Sequence, residues 1–467
     1  MRDEYAKGER DRIIRISKVD PLKGNLITTF FRYSAPNIAG LIAITSSIIV
    51  DGIFVGRIVG SDALAAVNLA MPFFSLSFGI CALLVTGGSV LCGEMIGAGD
   101  DTKASQAFSQ VVLVLFTLSL IICAAGFLFP HEVAKLLGAD QRVINDVVTY
   151  LTGYLLFIPI VLSGMGLLYF ARVNGFPELV SFVLLFVAVL NVLLDWLLVA
   201  KWNMGLKGAA LATGGAQSMI FVLLLPSFFF KSSRLRFMKP SLDIRHTLRA
   251  SFNGLSEFFN ETSGGIVIFT FNYVLMRRVG VDGVAAFTIV NYLMFVGLMV
   301  AYGVGESLHA PVSINLGAGA VKRATDFLRV AVVFILVAGM ILALCLLVMP
   351  QALIGIFLTS GEPAARLLAV DYTRYLWPAF LFNGVNITMS AYFTAMQKPV
   401  QSIVIALMRS LFLPVVLILL FNRFFSHHFI FMSIPAAEII TLAVAVIMLR
   451  GVINGNHRHS KSQGQTP

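Results

Sequence analysis

Most of this 467-residue chain does not alternate apolar with polar positions; it stays apolar for twenty or so residues, breaks at a short polar stretch, and resumes. Runs of 18 or more mostly apolar residues are long enough to cross a bilayer as α-helices, whereas a membrane barrel would show short alternating segments. The pattern predicts twelve transmembrane helices, at about 29–56, 63–96, 105–130, 145–171, 178–200, 207–230, 250–276, 284–316, 325–349, 369–396, 400–421 and 428–449. It divides the chain into a leading segment 1–28, a first lobe 29–230, a linker 231–249, a second lobe 250–450 and a tail 451–467. The tail lacks large apolar residues, so disorder is expected there.

The two lobes read as copies of one unit. A shift of 220 places Arg57, Val59, Gly60, Asp62, Ala65 and Ala66 on Arg277, Val279, Gly280, Asp282, Ala285 and Ala286. It also places Gly97, Ala98, Gly99 and Ala104 on Gly317, Ala318, Gly319 and Ala324. Six spans is an even number, so both copies enter the membrane in the same direction and are related by an axis along its normal. The expected fold is therefore an all-α membrane protein, two six-helix bundles with a cleft between them. Rocking one bundle against the other exposes such a cleft to each side in turn, so the architecture favours transport, by analogy.

Composition agrees: 58% of residues are hydrophobic, 12% are charged and the mean hydropathy is +0.88. The net charge of +10 does not point to nucleic acid, because its distribution follows the membrane. With the N-terminus in the cytoplasm, 23 Lys and Arg fall on the inner side, 10 on the outer side, and Arg409 lies within a helix. That bias orients the chain in the plasma membrane with both termini cytoplasmic. The basic clusters at 2–32 and 231–249 serve that orientation first, with anionic lipid headgroups as a second use. No cleavable leader is evident. Cys81, Cys92, Cys123 and Cys345 lie in predicted spans without metal-type spacing and read as small apolar residues.

Against this background the intramembrane acids stand out. Asp195 and Asn191 are four apart on one helix face inside the apolar run 179–200, and Asp51 lies in the first span. At about 1.5 Å per residue, Asp51, Asp195 and Thr213 each lie roughly 9 Å inside the outer end of their helices, with Asn191 one turn deeper. Under the 220 shift Asp51 maps to Phe271 and Asp195 to the apolar stretch near Leu417, so the acids belong to the first lobe alone. Two carboxylates, an amide and a hydroxyl offer oxygen ligands to a small hard cation, or a place for a proton. A structural hydrogen-bond network explains the Asn and the Thr but not two acids, because burying like charges is costly unless a proton or cation intervenes.

The stretch Val50-Asp51-Gly52-Ile53-Phe54-Val55-Gly56-Arg57 followed by Ala63-Leu64-Ala65-Ala66, the Asn191 and Asp195 pair, and the duplicated twelve spans resemble the multidrug and toxic compound extrusion family, in its DinF-like branch. The resemblance covers essentially the whole chain. It implies an antiporter that exports organic, often cationic, molecules in exchange for protons or sodium, with no cofactor and no catalytic residues. It assigns Asp51, Asn191, Asp195 and Thr213 to the coupling site, where they would also be the metal ligands if sodium is the ion. Pro36 and Gly40 match positions where the first helix can bend, and a proline's missing N–H is a physical reason for weakness there. Glu261 resembles a seventh-helix acid of the other bacterial branch. That branch also uses a tenth-helix aspartate, and Asn383 stands at the matching position. Glu257, Glu261 and Asn383 are accordingly expected to line or support the cavity. Partners are small organic substrates and the bilayer, with no nucleic acid, and a monomer is expected. A lipid-linked flippase is the alternative, but several basic residues should then face the cavity, and Arg409 alone qualifies from the sequence. An intramembrane aspartyl protease is disfavoured because no Gly-Asp motif surrounds the acids. Protons are slightly preferred over sodium, since no backbone-carbonyl cage is evident.

Overall fold

The computed structural model describes residues 19–230, 232–241, 243–355 and 363–462, and among these there is no strand. The first lobe comprises α1 (Leu26–Phe54), α2 (Ser61–Gly97), α3 (Asp101–Leu128), the short α4 (Pro130–Leu136), α5 (Ile144–Leu155), α6 (Ile158–Val173), α7 (Pro177–Asp195) and α8 (Gly205–Leu224). The second comprises α9 (Ile244–Arg278), α10 (Val281–Gly317), α11 (Val321–Val348), the short α12 (Pro350–Gly355), α13 (Pro363–Leu376), α14 (Ala379–Ala395), α15 (Pro399–Leu407), α16 (Leu413–Phe424) and α17 (Ser433–Ser462). Nine described helices are long and apolar enough to span a membrane, and the bent pair α5 and α6 makes a tenth. The polar α9, which carries Glu257, Asn260 and Glu261, and the broken pair α13 and α14 complete the twelve.

Three expectations need correcting. The fourth span is not straight: α5 and α6 meet at 54°, with Pro159 in the first turn of α6, where a missing N–H is tolerated. The tenth span breaks likewise at Trp377-Pro378. The tail read as disordered continues α17 as far as Ser462, and positions 463–467 lie outside the described residues, as do 1–18 of the leading segment. The predicted linker is also shorter than drawn, because Asp243 caps α9 by accepting from the Arg245 N–H at 2.9 Å.

Around their apolar cores, several helices bury hydroxyl and amide residues and turn large apolar side chains outward. In α3, Ser105, Ser109, Gln110 and Ser119 are buried while Leu113, Phe116, Leu120 and Ile121 face outward; in α11, Val333, Val337, Met340, Ile341 and Leu344 form an exposed stripe at helical spacing. Lipid is as apolar as leucine, so it gives no reason to bury leucine between helices; small and hydroxyl residues pack there instead.

The duplication is visible in the backbone. Gly60 and Gly280 both take positive φ (125° and 84°) between the first and second helices of their lobes, and Gly99 and Gly319 do so (85° and 73°) between the second and third. The lobes meet along one seam. A Cβ at Gly97 would come within 2.0 Å of the Ile314 carbonyl oxygen, and one at Gly317 within 1.8 Å of that of Glu94, a reciprocal contact across the pseudo-twofold. Gly97 and Gly317 are thus close-approach points of α2 against α10. Gly87 and Gly254 do the same for α2 against α9. The seam is closed at the linker end and extends as far as the Ser75 hydroxyl, which donates to the Glu261 carbonyl at 2.8 Å. Residues 19–24 strap this end: the Val19 N–H donates to Gly175 O of the first lobe, and Arg323 of the second donates to the carbonyls of Pro21, Lys23 and Gly24.

Candidate functional site

The structure brings Asp51, Asp195 and Thr213 together toward the opposite end from the closed seam, with Asn191 one turn before Asp195 on α7. Asp51 of α1 and Asp195 of α7 face each other within direct interaction distance, and Thr213 of α8 reaches Asp51. Asp195 is fully buried, and Asp51 and Asn191 nearly so. One Asp51 oxygen, both Asp195 oxygens and the Asn191 amide nitrogen have no hydrogen-bond partner. Buried polar atoms are nearly always paired, so three orphaned carboxylate oxygens on two facing acids call for a proton or a cation and do not suit a closed structural network. Thr213 donates its own hydrogen to Ala209 O at 3.1 Å, which leaves its lone pairs for a ligand. Tyr150 of α5, buried beside Thr213 and both acids, was missed in the sequence. A tyrosine in a membrane helix carries no charge to draw attention to it.

Local backbone positions both acids. Beyond Asp51, α1 widens into a π-turn at Val55–Val59, and Asp195 directly precedes another at Trp196–Lys201. A third, Met408–Phe412, contains Arg409. Such turns add a residue to the helical circuit and frequently mark functional sites; here each adjoins a buried charge. Under the lobe correspondence Asp51 answers to Phe271, which stacks on Phe287 at 4.6 Å within the second lobe's apolar core. The same position that holds an acid in one lobe is filled by a ring in the other.

Pro36 lies inside an unbroken α1, and its carbonyl accepts from the Ser181 hydroxyl at 2.6 Å. At Gly40 a Cβ would come within 2.6 Å of Leu184, so this glycine lets α1 and α7 touch. Both positions tie α1 to the acid-bearing α7.

At mid-depth a polar network crosses the seam. Arg172 of α6 donates to Glu306 of α10 at 2.9 Å and to the Asn37 amide oxygen, while Asn37 donates to Gly303 O at 2.8 Å and Tyr169 donates to Glu306 at 3.3 Å. Glu306 bonds across to the other lobe and not to His309, three residues along its own helix, whose two ring nitrogens lack partners. Arg172 and Glu306 line a cleft of about 910 Å³ with Ile48, Phe78, Gln217 and Glu261.

The second lobe's candidates do not gather into a matching acid site. Glu257 accepts from Asn260 at 3.3 Å, Glu261 faces the cleft just described, and Asn383 donates instead to Glu438 at 2.6 Å. Glu438, unremarked in the sequence, lies fully inside α17, 3.9 Å from Arg409, whose partner is thereby identified. Glu261→Gln is expected to alter substrate range or lower transport severalfold while leaving cation dependence in place. Loss of cation-driven transport as complete as in Asp51→Asn would move the coupling site to the second lobe. Among the described residues no three His, Cys, Asp or Glu side chains cluster as metal ligands. The first-lobe set of two carboxylates, an amide and a hydroxyl is one that sodium or a proton can use.

Comparison with known proteins places this geometry. The sequence model of the MatE family matches twice, over residues 36–197 and 265–420, once in each lobe. The FAD transporter of Shewanella oneidensis is 26% identical over 393 residues, covering 80% of this chain and 84% of that one. The probable multidrug resistance protein YoeA of Bacillus subtilis is 25% identical, over 75% and 78% of the two chains. The multidrug export protein MepA of Staphylococcus haemolyticus is 22% identical, over 92% and 95%. Among solved structures, an outward-facing multidrug resistance MATE family transporter superposes with a TM-score of 0.88 at 20% identity, covering 95% of this chain and 99% of that one. A Pyrococcus furiosus transporter of the MOP superfamily gives 0.85 at 20% identity, over 94% and 98%. With both copies of the repeat matched, over more than half of its residues, the chain belongs to the MatE family of membrane transporters and is not an enzyme.

Proposed function

We propose that this protein is a plasma-membrane antiporter that exports organic compounds in exchange for a cation bound by Asp51, Asn191, Asp195 and Thr213, with both termini cytoplasmic. The observation that carries this reading is the facing pair of buried acids in the first lobe, three of whose four carboxylate oxygens have no hydrogen-bond partner. With the basic linker inside, the cleft between the lobes opens outward and its closed seam faces the cytoplasm. A cation that binds the acids better in one state than in the other biases the equilibrium between the two, and that difference is the whole of its driving effect. Binding neutralises the pair, removes the repulsion between α1 and α7, and favours rearrangement of α1 around Pro36, releasing substrate outward. The multidrug resistance and multidrug export relatives support drugs as cargo. The flippase reading gains one basic cleft residue, Arg172, but that side chain is held by Glu306. It therefore offers a diphosphate lipid little free positive charge.

The ligand set suits protons and sodium alike, and protons remain the preferred ion. Efflux of a cationic dye from proteoliposomes, measured with an imposed pH gradient or an imposed sodium gradient, each alone, decides it. Efflux under the pH gradient is expected. Efflux under sodium alone would reverse the ion assignment, and none under either would reject antiport.

A further inference from the structure

We infer that the cleft of the second lobe binds aromatic substrates bearing a carboxylate or phosphate, with Arg409 as the anionic group's anchor. The inference rests on the exporter reading and adds a second substrate class to organic cations. This cleft is walled by Phe271 and Phe287, which are buried and stacked on each other, and by the exposed Phe295, whose ring can pack against a flat substrate.

At its polar end the Arg409 side chain is only 4% exposed. Nη2 donates to Asn260 at 3.1 Å and to the Tyr302 hydroxyl at 3.3 Å, while Nε has no partner. Glu438 is too far, at 3.9 Å from Nη1, to accept a hydrogen bond. Its two oxygens are instead taken by Asn383 at 2.6 Å and Asn386 at 2.7 Å. Glu438 therefore balances the charge of Arg409 without occupying its donors. The other buried arginine shows the alternative: Arg172 makes a contact ion pair with Glu306 at 2.9 Å and spends another nitrogen on Asn37. Were charge balance the whole purpose, the second lobe could have been built the same way.

Glu257 also lies near Arg409, but Asn260 stands between them, donating to Glu257 at 3.3 Å while accepting from the guanidinium. A guanidinium edge with free N–H groups fits the paired oxygens of a carboxylate or phosphate, a geometry that lysine cannot reproduce. The π-turn Met408–Phe412 is what brings this side chain into the cleft wall, where Ser410 and Pro414 also lie. The cleft on the first lobe's side has the opposite character, since Glu261 faces it and its one arginine is already paired. Cations and anions thus have separate places to bind.

The test is equilibrium binding to the full-length protein in lipid nanodiscs. Three coumarins are compared, identical except for a carboxylate, a phosphate ester or a trimethylammonium group. The wild type is expected to bind at least one anionic probe. Arg409→Gln should weaken that binding about tenfold or more while leaving the cationic probe unchanged, which also reports that the variant is folded. Arg409→Lys keeps the charge and should still weaken the anionic probe, because the fork is lost. Wild-type protein that binds neither anion, or an Arg409→Gln loss equal for all three probes in folded protein, would overturn the inference. No ion gradient is applied, so failure of gradient-driven efflux with anion binding intact would count against the exporter reading alone.

Discussion

Replacing Asp195 by Asn is expected to abolish gradient-driven export in proteoliposomes while the protein still inserts and folds, and Asp51→Asn is expected to do the same. Each elementary charge that enters across 100 mV supplies about 2.3 kcal/mol, enough for roughly fifty-fold accumulation when fully coupled. An amide is nearly isosteric with a carboxylate but cannot release a proton or neutralise sodium, so accumulation should fall to the passive level. Asp195 is the stronger test, because it is fully buried with neither oxygen hydrogen-bonded. Among the described side chains it faces Asp51 and accepts no hydrogen bond, so on the proposed reading the interaction lost is that with the coupling ion. Folding should not suffer, since removing one of two facing buried charges relieves repulsion. Export at wild-type levels from either variant, at matched expression, would falsify the assignment of the coupling site.

The second large effect is expected at the seam. Arg172→Met takes the cationic partner from the half-buried Glu306, which keeps only its bonds from Tyr169 and Asn37, and losing a hydrogen bond to a charged group costs about 1.5–3 kcal/mol. That cost falls on the state in which the seam is closed, because only there do α6 and α10 meet through this bond. An opening equilibrium poised within a few kcal/mol would then be reversed. Spin labels at Lys103 and Lys322, exposed at the linker end of the two lobes, should report a longer distance in Arg172→Met than in the wild type. Adding Glu306→Gln should restore the short distance, since a neutral pair leaves no charge stranded. An unchanged distance in the single variant would mean that the glycine contacts and the strap 19–24 hold the seam without the ion pair.

Asp51 and Asp195 drew attention in the sequence because a charge in hydrocarbon is conspicuous, and helical rise put Thr213 at the same depth with Asn191 one turn away. Tyr150 did not, because it is uncharged; Glu438, an acid midway along the predicted span 428–449, carried the same signal as Asp195 and was passed over. Nor could the sequence distinguish Glu306 bonding to its own helix from Glu306 bonding across the seam, because a pair three residues apart satisfies the first reading without any tertiary information.

Class, number of spans, duplication and the confinement of the acid pair to one lobe all follow from the sequence itself. Each depends on transfer between water and lipid, or on repetition, and both are local along the chain. Which charges meet, where the lobes touch and which arginine keeps free donors depend on how helices pack. In lipid that packing is directed by small residues and by hydrogen bonds between distant helices, not by a hydrophobic stripe readable from one segment. Gly97 against Ile314 and Arg409 beside Glu438 are decided at that level. So are the three π-turns, because the extra residue in each is accommodated only when a neighbouring helix holds the displaced side chain in place.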